Sequence, residues 1–266
     1  MFYSYHVHSR WSDGEGEIID FIRAAKAMEL DEVGISDHYV LTPGGKIEPW
    51  SMPLDALDDY VEAVQDAACE GGEETVVRLG IEADYFPETA NELRGLLLSH
   101  PFDYIIGSVH RLDGFPIDDV AEDWQPLSQA EKDDIIRRYW IRLKEMAESR
   151  MFDIAAHLDL AKKFAVWPSI DLTTEIDAAL DAVAAAGMSF EINTSGWYKP
   201  CKEQYPSLQI IEGCRDRGIP VLVTADAHTP AHLIRDFDRA FKLIKDAGFD
   251  SVASYGGRQM IVNPIG

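Results

Sequence analysis

Cysteine is scarce in this chain of 266 residues. There are three, Cys69, Cys201 and Cys214, and no two of them form a CxxC pair. An odd, sparse set argues against a disulfide framework and indicates a reducing compartment. The cysteines also lie away from the histidines discussed below, so a thiolate metal site is not predicted.

Long hydrophobic runs are missing as well. No apolar stretch approaches the roughly 20 residues that a membrane-spanning helix needs. The first residues, 1–6, carry neither a basic start nor a long apolar segment, so they do not predict a secretory signal. We therefore expect a cytoplasmic protein with no membrane partner.

Basic residues are fewer than acidic residues in this chain. The chain has 24 Lys and Arg against 47 Asp and Glu, which gives a net charge of -23. Such a chain repels nucleic acid at long range, and no nucleic-acid partner is expected. A small phosphorylated substrate stays possible, because bound divalent ions would invert the local potential. The sequence leaves the oligomeric state open.

Strand-like and helix-like segments alternate along the chain. The length is normal for an α/β barrel held as one domain, residues 1–266, and 46% apolar residues can form a large core. The candidate strands are 2–8, 32–37, 76–82, 104–110, 152–157, 189–193 and 220–226. Amphipathic helical patterns cover 18–28, 60–68, 131–146, 174–186 and 207–217. This order predicts a parallel barrel of about seven βα units.

The segments between the predicted strands and helices also allow predictions. Residues 39–53 and 112–127 are the longest non-periodic stretches and each follows a histidine at a strand end, so we expect them to form walls of a pocket. Residues 251–266 are expected to be irregular or a short strand with a closing role, and 255–258 a turn that could lie near the site.

Histidines recur where the predicted strands end. Six of the eight histidines do so, and acidic residues accompany them: His6, His8, His38, His110, His157 and His228, with Asp13, Glu82 and Asp226. Residues i and i+2 of a strand point to the same side, so His6 and His8 can reach one ion together. Nine candidate ligands are too many for one ion, and two or three divalent ions of zinc, manganese or iron are the natural number.

Several residues near these ligands have two interpretations. Asp13 either binds metal or stabilises the turn with Gly14. Asp37 is expected to orient a ligand histidine rather than to bind metal. His100 and His232 are expected to be surface or capping residues.

The pattern resembles the PHP (polymerase and histidinol phosphatase) family of metal-dependent phosphoesterases. The matching motifs are His6-x-His8, Ser36-Asp37-His38, Gly80-x-Glu82, Ser108-x-His110, His157 and Asp226-x-His228, in family order. The resemblance implies a distorted (β/α)7 TIM-like barrel of PHP type. It also implies three ion sites: the first with His6, His8, Glu82 and Asp226, the second with Glu82, His110 and His157, and the third with Asp13, His38 and His228.

Within that family the chain is most similar to the monofunctional histidinol phosphatase branch. The similar blocks are 107–110, 157–160, 191–196 and 205–207. This resemblance implies a phosphomonoesterase that hydrolyses L-histidinol phosphate in histidine biosynthesis. An arginine that follows the Asn-Thr-Ser-Gly block in that branch is replaced here by Trp197, Tyr198 and Lys199.

Residue roles follow from the implied reaction. Asp226, His228 and Asp13 are the candidate catalytic groups. Lys199 and Arg111 are candidates for binding the phosphate, with Lys162 and Lys163 as further cations; each could instead be a solvated charge. Asn193 either binds substrate or caps the end of its strand.

Other functions remain open from the sequence. Trp50, Trp197 and Tyr198 could stack on a base, so another small phosphoester such as a nucleotide is the alternative substrate. A regulatory domain that binds metal without turnover is a second alternative, although the ligand set is intact. An amidohydrolase is a third, but no strand ends in the lysine that a bridging carbamate needs.

Overall fold

Parallel strands form the centre of the molecule, in a computed structural model that describes residues 2–72 and 74–265. The strands are β1 (Tyr3–Ser4), β2 (Glu32–Ile35), β3 (His38–Tyr39), β4 (Val76–Asp84), β5 (Tyr104–Ser108), β6 (Arg111–Leu112), β7 (Phe115–Pro116), β8 (Ile154–Ala155), β9 (Ser189–Asn193), β10 (Val221–Thr224), β11 (Ser251–Gly256) and β12 (Gln259–Pro264). The main sheet runs in the order β1-β2-β4-β5-β8-β9-β10, and each neighbouring pair is parallel.

The sheet closes on itself beyond the ends of β1 and β10. Val7 pairs with Ala227 in a parallel bridge. The amide of His8 donates to the Ala227 carbonyl at 2.9 Å, and the Ala227 amide donates to the His6 carbonyl at 2.9 Å. The predicted seven-stranded (β/α) barrel is confirmed, and its closure lies beside the histidines at the strand ends.

Helices pack around the barrel. They are α1 (Ile18–Ala27), α2 (Leu57–Ala68), α3 (Ala90–Leu98), α4 (Gln129–Glu148), α5 (Thr173–Ala186), α6 (Leu208–Asp216) and α7 (Phe237–Asp246). In α1 the buried residues Ile18, Phe21, Ile22 and Ala25 follow helical spacing, which places one apolar stripe on the sheet. None of these helices, within the part of the chain that the structure describes, is long and apolar enough to cross a membrane.

Tyr104 fills the barrel interior and explains two glycines. A Cβ atom on Gly34 would lie 2.0 Å from the Tyr104 hydroxyl, and one on Gly80 would lie 2.2 Å from its Cζ. The hydroxyl donates to the Tyr5 carbonyl at 2.5 Å. Glycine is therefore required on two neighbouring strands so that the ring can cross the barrel.

The C-terminal hairpin closes the opposite end of the barrel. β11 and β12 are antiparallel, and the hydroxyl of Tyr255 donates to the carbonyl of Asp153, just before β8. Arg258 in the hairpin turn donates to the Asp153 carboxylate at 2.9 Å. The expected closing role agrees with this placement. The expectation of a turn near the site is wrong, because the turn contacts residues that precede the strands.

Candidate metal centre

The histidine-bearing ends of the strands converge at one end of the barrel. His6, His8, His38, His110 and His157 are buried, as is Glu82, while Asp226 and His228 are partly exposed. β3 pairs with β4 so that His38 lies opposite Glu82. The parallel arrangement therefore gathers all nine predicted ligand residues, since Asp13 in the loop after His8 also reaches the cluster.

The first group is formed by His6, His8 and Asp226. Asp226 Oδ1 lies 3.8 Å from His6 Nε2 and 3.3 Å from His8 Nε2. Glu82 Oε2 lies 3.0 Å from His6 Nε2 and 3.5 Å from His8 Nε2. Two imidazoles and two carboxylates thus point their polar atoms at a common centre.

The second group lies on the other side of Glu82. His110 Nε2 and His157 Nε2 are 3.2 Å apart. Glu82 Oε1 is 3.0 Å from His157 Nε2 and 3.7 Å from His110 Nε2. Glu82 therefore presents one oxygen to each group, which is the geometry of a bridging carboxylate.

The third group joins Asp13, His38 and His228, with His8 close enough to share it. Asp13 Oδ2 lies 3.3 Å from His228 Nε2, and Asp13 Oδ1 lies 3.8 Å from His38 Nε2. The other ring nitrogen of His38, Nδ1, is 2.9 Å from Glu82 Oε2. His38 thus connects the third group to the first two.

Unsatisfied polar atoms test whether this cluster fits metal ions. His6 Nε2, both ring nitrogens of His8, His38 Nδ1 and Glu82 Oε2 are buried and make no hydrogen bond among the described residues. Buried polar atoms normally have partners. Ligand atoms about 2.0–2.1 Å from a tetrahedral zinc ion lie about 3.3 Å from one another, and the spacings above fall around that value. The residues fit divalent metal ions.

Opposing pKa shifts accompany this packing. Burial lowers the pKa of His6, but the nearby carboxylates, first Glu191 and then Glu82, outweigh burial and leave that pKa well above its usual value. Burial, followed by the charges of His38 and His228, lowers the pKa of His8 to about 3. His8 is therefore a neutral imidazole, and a metal ion held at His6 would compete with a proton.

Two buried carboxylates that sequence reasoning missed orient ligand rings. Glu191 Oε2 lies 2.8 Å from His6 Nδ1, and its other oxygen accepts a hydrogen bond from the amide of His157 at 2.7 Å. Asp84 Oδ1 lies 2.6 Å from His110 Nδ1. Carboxylates that hold the far nitrogen of a ligand histidine fix its tautomer and raise its basicity. Their signal was the i, i+2 pattern in Glu82-x-Asp84 and Glu191-x-Asn193.

Asp37 forms hydrogen bonds to a loop and not to a histidine ring, which differs from the expectation. Its carboxylate accepts hydrogen bonds from the amide and hydroxyl of Ser9 at 2.7 Å each. It also accepts from the amide of Ser12 at 3.1 Å and from the Ser12 hydroxyl at 2.6 Å. Asp37 thereby fixes the turn that carries Asp13, and no hydrogen bond joins it to a histidine among the described residues.

A cavity of about 340 Å³ opens above the cluster. It is lined by Asp13, His38, Trp50, His110, Asp118, Asp119, His157, Leu160, Lys163, Ser195, Lys199, Tyr205, Asp226 and His228. Trp50 comes from the stretch 39–53, and Asp118 and Asp119 come from 112–127, so both long connections form walls as expected.

The predicted phosphate-binding cations are placed differently from one another. Lys199 and Lys163 line the cavity. Burial, followed by the charge of Lys163, lowers the pKa of Lys199. Arg111 does not line it: its guanidinium pairs with Glu48 and Asp119 at 2.6 Å each and borders a separate pocket. Glu48 and Asp119 hold the guanidinium outside the cavity lining, so the structure does not support the expected role of Arg111 in the substrate site.

Lys162 is also turned away from the cavity. Its ammonium donates to Glu203 Oε2 at 2.7 Å and to the Gln204 carbonyl at 2.8 Å. The side chain is buried on the outer side of its loop.

Asn193 forms hydrogen bonds to two carboxylates of the site. Its Nδ2 donates to Glu191 at 3.0 Å and to Asp226 Oδ2 at 3.3 Å, and its Oδ1 accepts from the amide of Ser195 at 3.0 Å. The side chain is buried and therefore both caps the strand end and holds two carboxylates.

Of the three aromatic residues expected to stack on substrate, Trp50 lines the cavity. Trp197 donates its indole N–H to Gln204 at 3.0 Å and is covered by Arg239, whose Cζ lies 3.8 Å from the ring centroid. Tyr198 is stacked under Arg235 on the exterior. Intramolecular partners thus hold two of the three rings outside the cavity lining.

The two remaining histidines lie outside the cluster. His100 Nδ1 lies 2.9 Å from the Leu96 carbonyl at the end of α3, and its Nε2 lies 2.7 Å from Asp58. This placement agrees with the expected capping role. His232 lies in a short 3₁₀ turn, 3.4 Å from an arginine nitrogen of Arg235.

A parallel barrel with histidines and carboxylates collected where its strands end has the architecture of a metal-dependent hydrolase. The family is established by comparison: residues 4–195 match the model of the PHP domain. The chain belongs to the PHP family.

The relatives of this chain are named as histidinol-phosphatases. The chain is 34% identical over 232 residues to a probable histidinol-phosphatase of Deinococcus radiodurans, covering 86% of each protein. It is 23% identical to the histidinol-phosphatase of Lactococcus lactis, covering 97% of this chain and 96% of that protein.

Solved structures share the fold. The crystal structure of the Lactococcus lactis histidinol phosphate phosphatase, complexed with zinc, L-histidinol and phosphate, matches with a TM-score of 0.81 and 22% identity over 98% of each chain. The histidinol phosphatase structure from Listeria monocytogenes matches with a TM-score of 0.76 over 89% of this chain and 99% of that one, at 20% identity.

Proposed function

We propose that this chain is a phosphoric monoester hydrolase that converts L-histidinol phosphate to L-histidinol and phosphate. The observation that carries the proposal is the cluster of nine histidines and carboxylates with buried, unsatisfied ligand atoms beneath a polar cavity. The relatives named above supply the substrate class. We also propose a cytoplasmic location, which suits three cysteines that are all free thiols.

Two or three divalent ions, zinc, manganese or iron, would be held by the three groups of residues. One set is His6, His8, Glu82 and Asp226, another is Glu82, His110 and His157, and the last is Asp13, His38 and His228. When bound, such ions activate water near neutral pH and neutralise charge on the phosphoryl oxygens.

Lys199 and Lys163 provide positive charge for the phosphate at the cavity wall. Lys163 already donates to Asp118 at 3.0 Å, whereas no carboxylate lies within ion-pair distance of Lys199 among the described residues. Lys199 is thus the freer of the two cations. An ammonium lacks the two-pronged geometry of a guanidinium, so it binds the phosphate as a point charge.

The acidic side of the cavity suits the leaving group. Asp118 and Asp119 line it together with the ring of Trp50. Histidinol carries an ammonium group and an imidazole, and opposite charge favours its approach to this wall. The phosphate would thus be bound at Lys199 and the alcohol beside the acidic wall.

We propose that Asp226 takes part in proton transfer to the leaving oxygen. Its Oδ1 faces the ligand histidines, while Oδ2 lies 3.3 Å from Asn193 Nδ2 and 3.4 Å from the Ser195 hydroxyl. The carboxylate therefore has one oxygen for the cluster and one held by neutral donors beside the cavity. His228 and Asp13, at the cavity rim, are the other candidates for proton transfer.

Phosphate release from L-histidinol phosphate, measured beside a panel of nucleotides and sugar phosphates, tests the proposal. Metal content is determined on the same sample. We expect a strong preference for histidinol phosphate, two or three ions per chain, loss of activity on chelation and recovery with a divalent metal. Activity that survives complete metal removal would refute the metal mechanism.

Preference for a nucleotide would support the second candidate substrate class. Trp50 is compatible with that alternative, because an indole at the cavity wall can stack on a base as well as on an imidazole. In that outcome the metal residues keep their proposed roles and only the substrate assignment fails.

A further inference from the structure

A second pocket lies on the outer surface of the barrel, between α4, α5, the start of α6 and the segment that follows β8. We call it the outer pocket. Its volume is about 180 Å³, and its apolar wall includes Trp140, Val166, Trp167, Ile176 and Ile210. A cavity of about 150 Å³ lined by apolar side chains can hold benzene, so the outer pocket accommodates one aromatic ring with a short substituent.

One polar group in this pocket has an unused hydrogen-bonding atom. Asp159 lines the pocket and is 9% exposed. Its Oδ2 accepts a hydrogen bond from the amide of Ser207 at 2.8 Å and lies 3.0 Å from Lys162 Nζ. Its Oδ1 is buried and has no hydrogen-bond partner among the described residues.

The neighbouring donor cannot supply the missing partner. An ammonium has three N–H groups. Lys162 donates to Glu203 Oε2 at 2.7 Å and to the Gln204 carbonyl at 2.8 Å, and it forms an ion pair with Asp159 Oδ2 at 3.0 Å. With two carboxylates around one ammonium, the group carries a net charge of -1, so it favours a cationic donor.

We propose that the outer pocket binds a small organic ammonium with a flat apolar body, whose N–H donates to Asp159 Oδ1 while the body packs between the two tryptophans. A buried carboxylate oxygen without a donor is unfavourable, and a charged donor there forms a strong hydrogen bond. The indole rings add attraction for the cation and contact area for the ring.

The outer pocket is distinct from the active-site cavity, although one loop separates the two. Along this loop His157, Leu160 and Lys163 line the active-site cavity, whereas Asp159 and Lys162 line the outer pocket. No residue borders both. A ligand of the outer pocket is therefore detectable without occupation of the active site.

Benzylammonium is the probe, titrated into the full chain loaded with zinc, in which the tryptophans are labelled with nitrogen-15. The chain has 6 tryptophans, so each indole N–H gives a separable signal. We expect saturable shifts of Trp140 and Trp167, and any shift of Trp50, which lines the active-site cavity, would report separate binding there. Benzyl alcohol, the uncharged counterpart, should bind about tenfold more weakly.

Variants distinguish the contribution of the Asp159 carboxylate from that of the apolar pocket. Asp159→Asn should remove the preference for benzylammonium over benzyl alcohol. Val166→Phe and Ile176→Phe should fill the pocket and abolish binding of both probes, while Val262→Phe, at an exposed site on β12, should bind as the unmodified chain does.

Several results would contradict binding at the outer pocket. The proposal would be overturned if no saturable shift were seen or if Trp50 alone shifted. It would also be overturned if affinity were unchanged both in Asp159→Asn and in a correctly folded variant that fills the pocket. None of these results depends on turnover of a phosphoester.

Discussion

Replacement of Glu191 by glutamine is expected to weaken metal binding without emptying the site of any ligand. Glu191 Oε1 accepts from the amide of His157 at 2.7 Å and from Asn193 Nδ2 at 3.0 Å. Glu191 Oε2 faces His6 Nδ1 at 2.8 Å and accepts from the Thr224 hydroxyl at 2.8 Å. In Glu191→Gln the amide oxygen must take the Oε1 position, because two donors point at it.

The amide nitrogen then faces His6 Nδ1. A donor at this position stabilises the tautomer of His6 that carries its hydrogen on Nε2, which is the atom directed at the metal ligands Glu82 and Asp226. Loss of such outer partners lowers metal affinity about 10–100-fold, or about 1.4–2.7 kcal/mol. We expect a decrease of that size, with the fold intact.

Competition with a zinc chelator measures this effect directly. Thr224→Val is the matched control, because it removes a hydrogen bond to the same oxygen and leaves the contact between Glu191 and His6 in place. Its affinity should stay within about threefold of the unmodified chain. Wild-type affinity in Glu191→Gln, or an equal loss in both variants, would refute the tautomer argument.

Three further predictions concern other parts of the molecule. Lys199→Ala should raise KM for the phosphate ester about tenfold, as expected for one charged hydrogen bond, whereas exposed Lys202→Ala should leave steady-state kinetics unchanged. Arg258→Ala should lower the free energy of unfolding by about 1–3 kcal/mol in urea, since it leaves a largely buried carboxylate unpaired, with zinc affinity unaltered. Burial raises the pKa of the Cys214 thiol, so at pH 8 it stays protonated and should react with a thiol reagent only after unfolding, while exposed Cys69 reacts at once.

Each of these has a contrary outcome. Equal kinetics of the two lysine variants would remove Lys199 from the phosphate site. Unchanged urea unfolding of the arginine variant would show that the hairpin contributes little to stability. Rapid modification of all three thiols in the folded chain would contradict the packing around α6.

The barrel was predictable because its signals are local. Strand-like runs alternate with amphipathic helices, and the histidines mark where strands end. The helix α7 carries the same kind of signal, with Phe237, Ala240 and Ile244 buried at helical spacing. The helix α3 was not predicted, and it buries two residues, Leu93 and Leu97, so its apolar pattern is weaker. That residues 1–266 form one domain stays a prediction.

The gathering of the nine ligand residues was also predictable, since parallel strands end on the same side of a sheet. The positions of the basic side chains were not predictable. Arg111 and Lys199 are both basic residues that follow strands, and no local pattern distinguishes them. The distinction comes from Glu48, which is 63 positions away from Arg111 and neutralises it. Partner choice of this kind requires the folded chain.

The two ends of the barrel have separate tasks, and this explains where polar groups are buried. At the end that carries the ligands, buried histidines and carboxylates leave atoms without hydrogen bonds, which is unfavourable until ions bind. At the other end, Tyr5 and Arg78 satisfy the buried carboxylate of Glu32 within the protein itself. Removal of metal should therefore destabilise the first end more than the second.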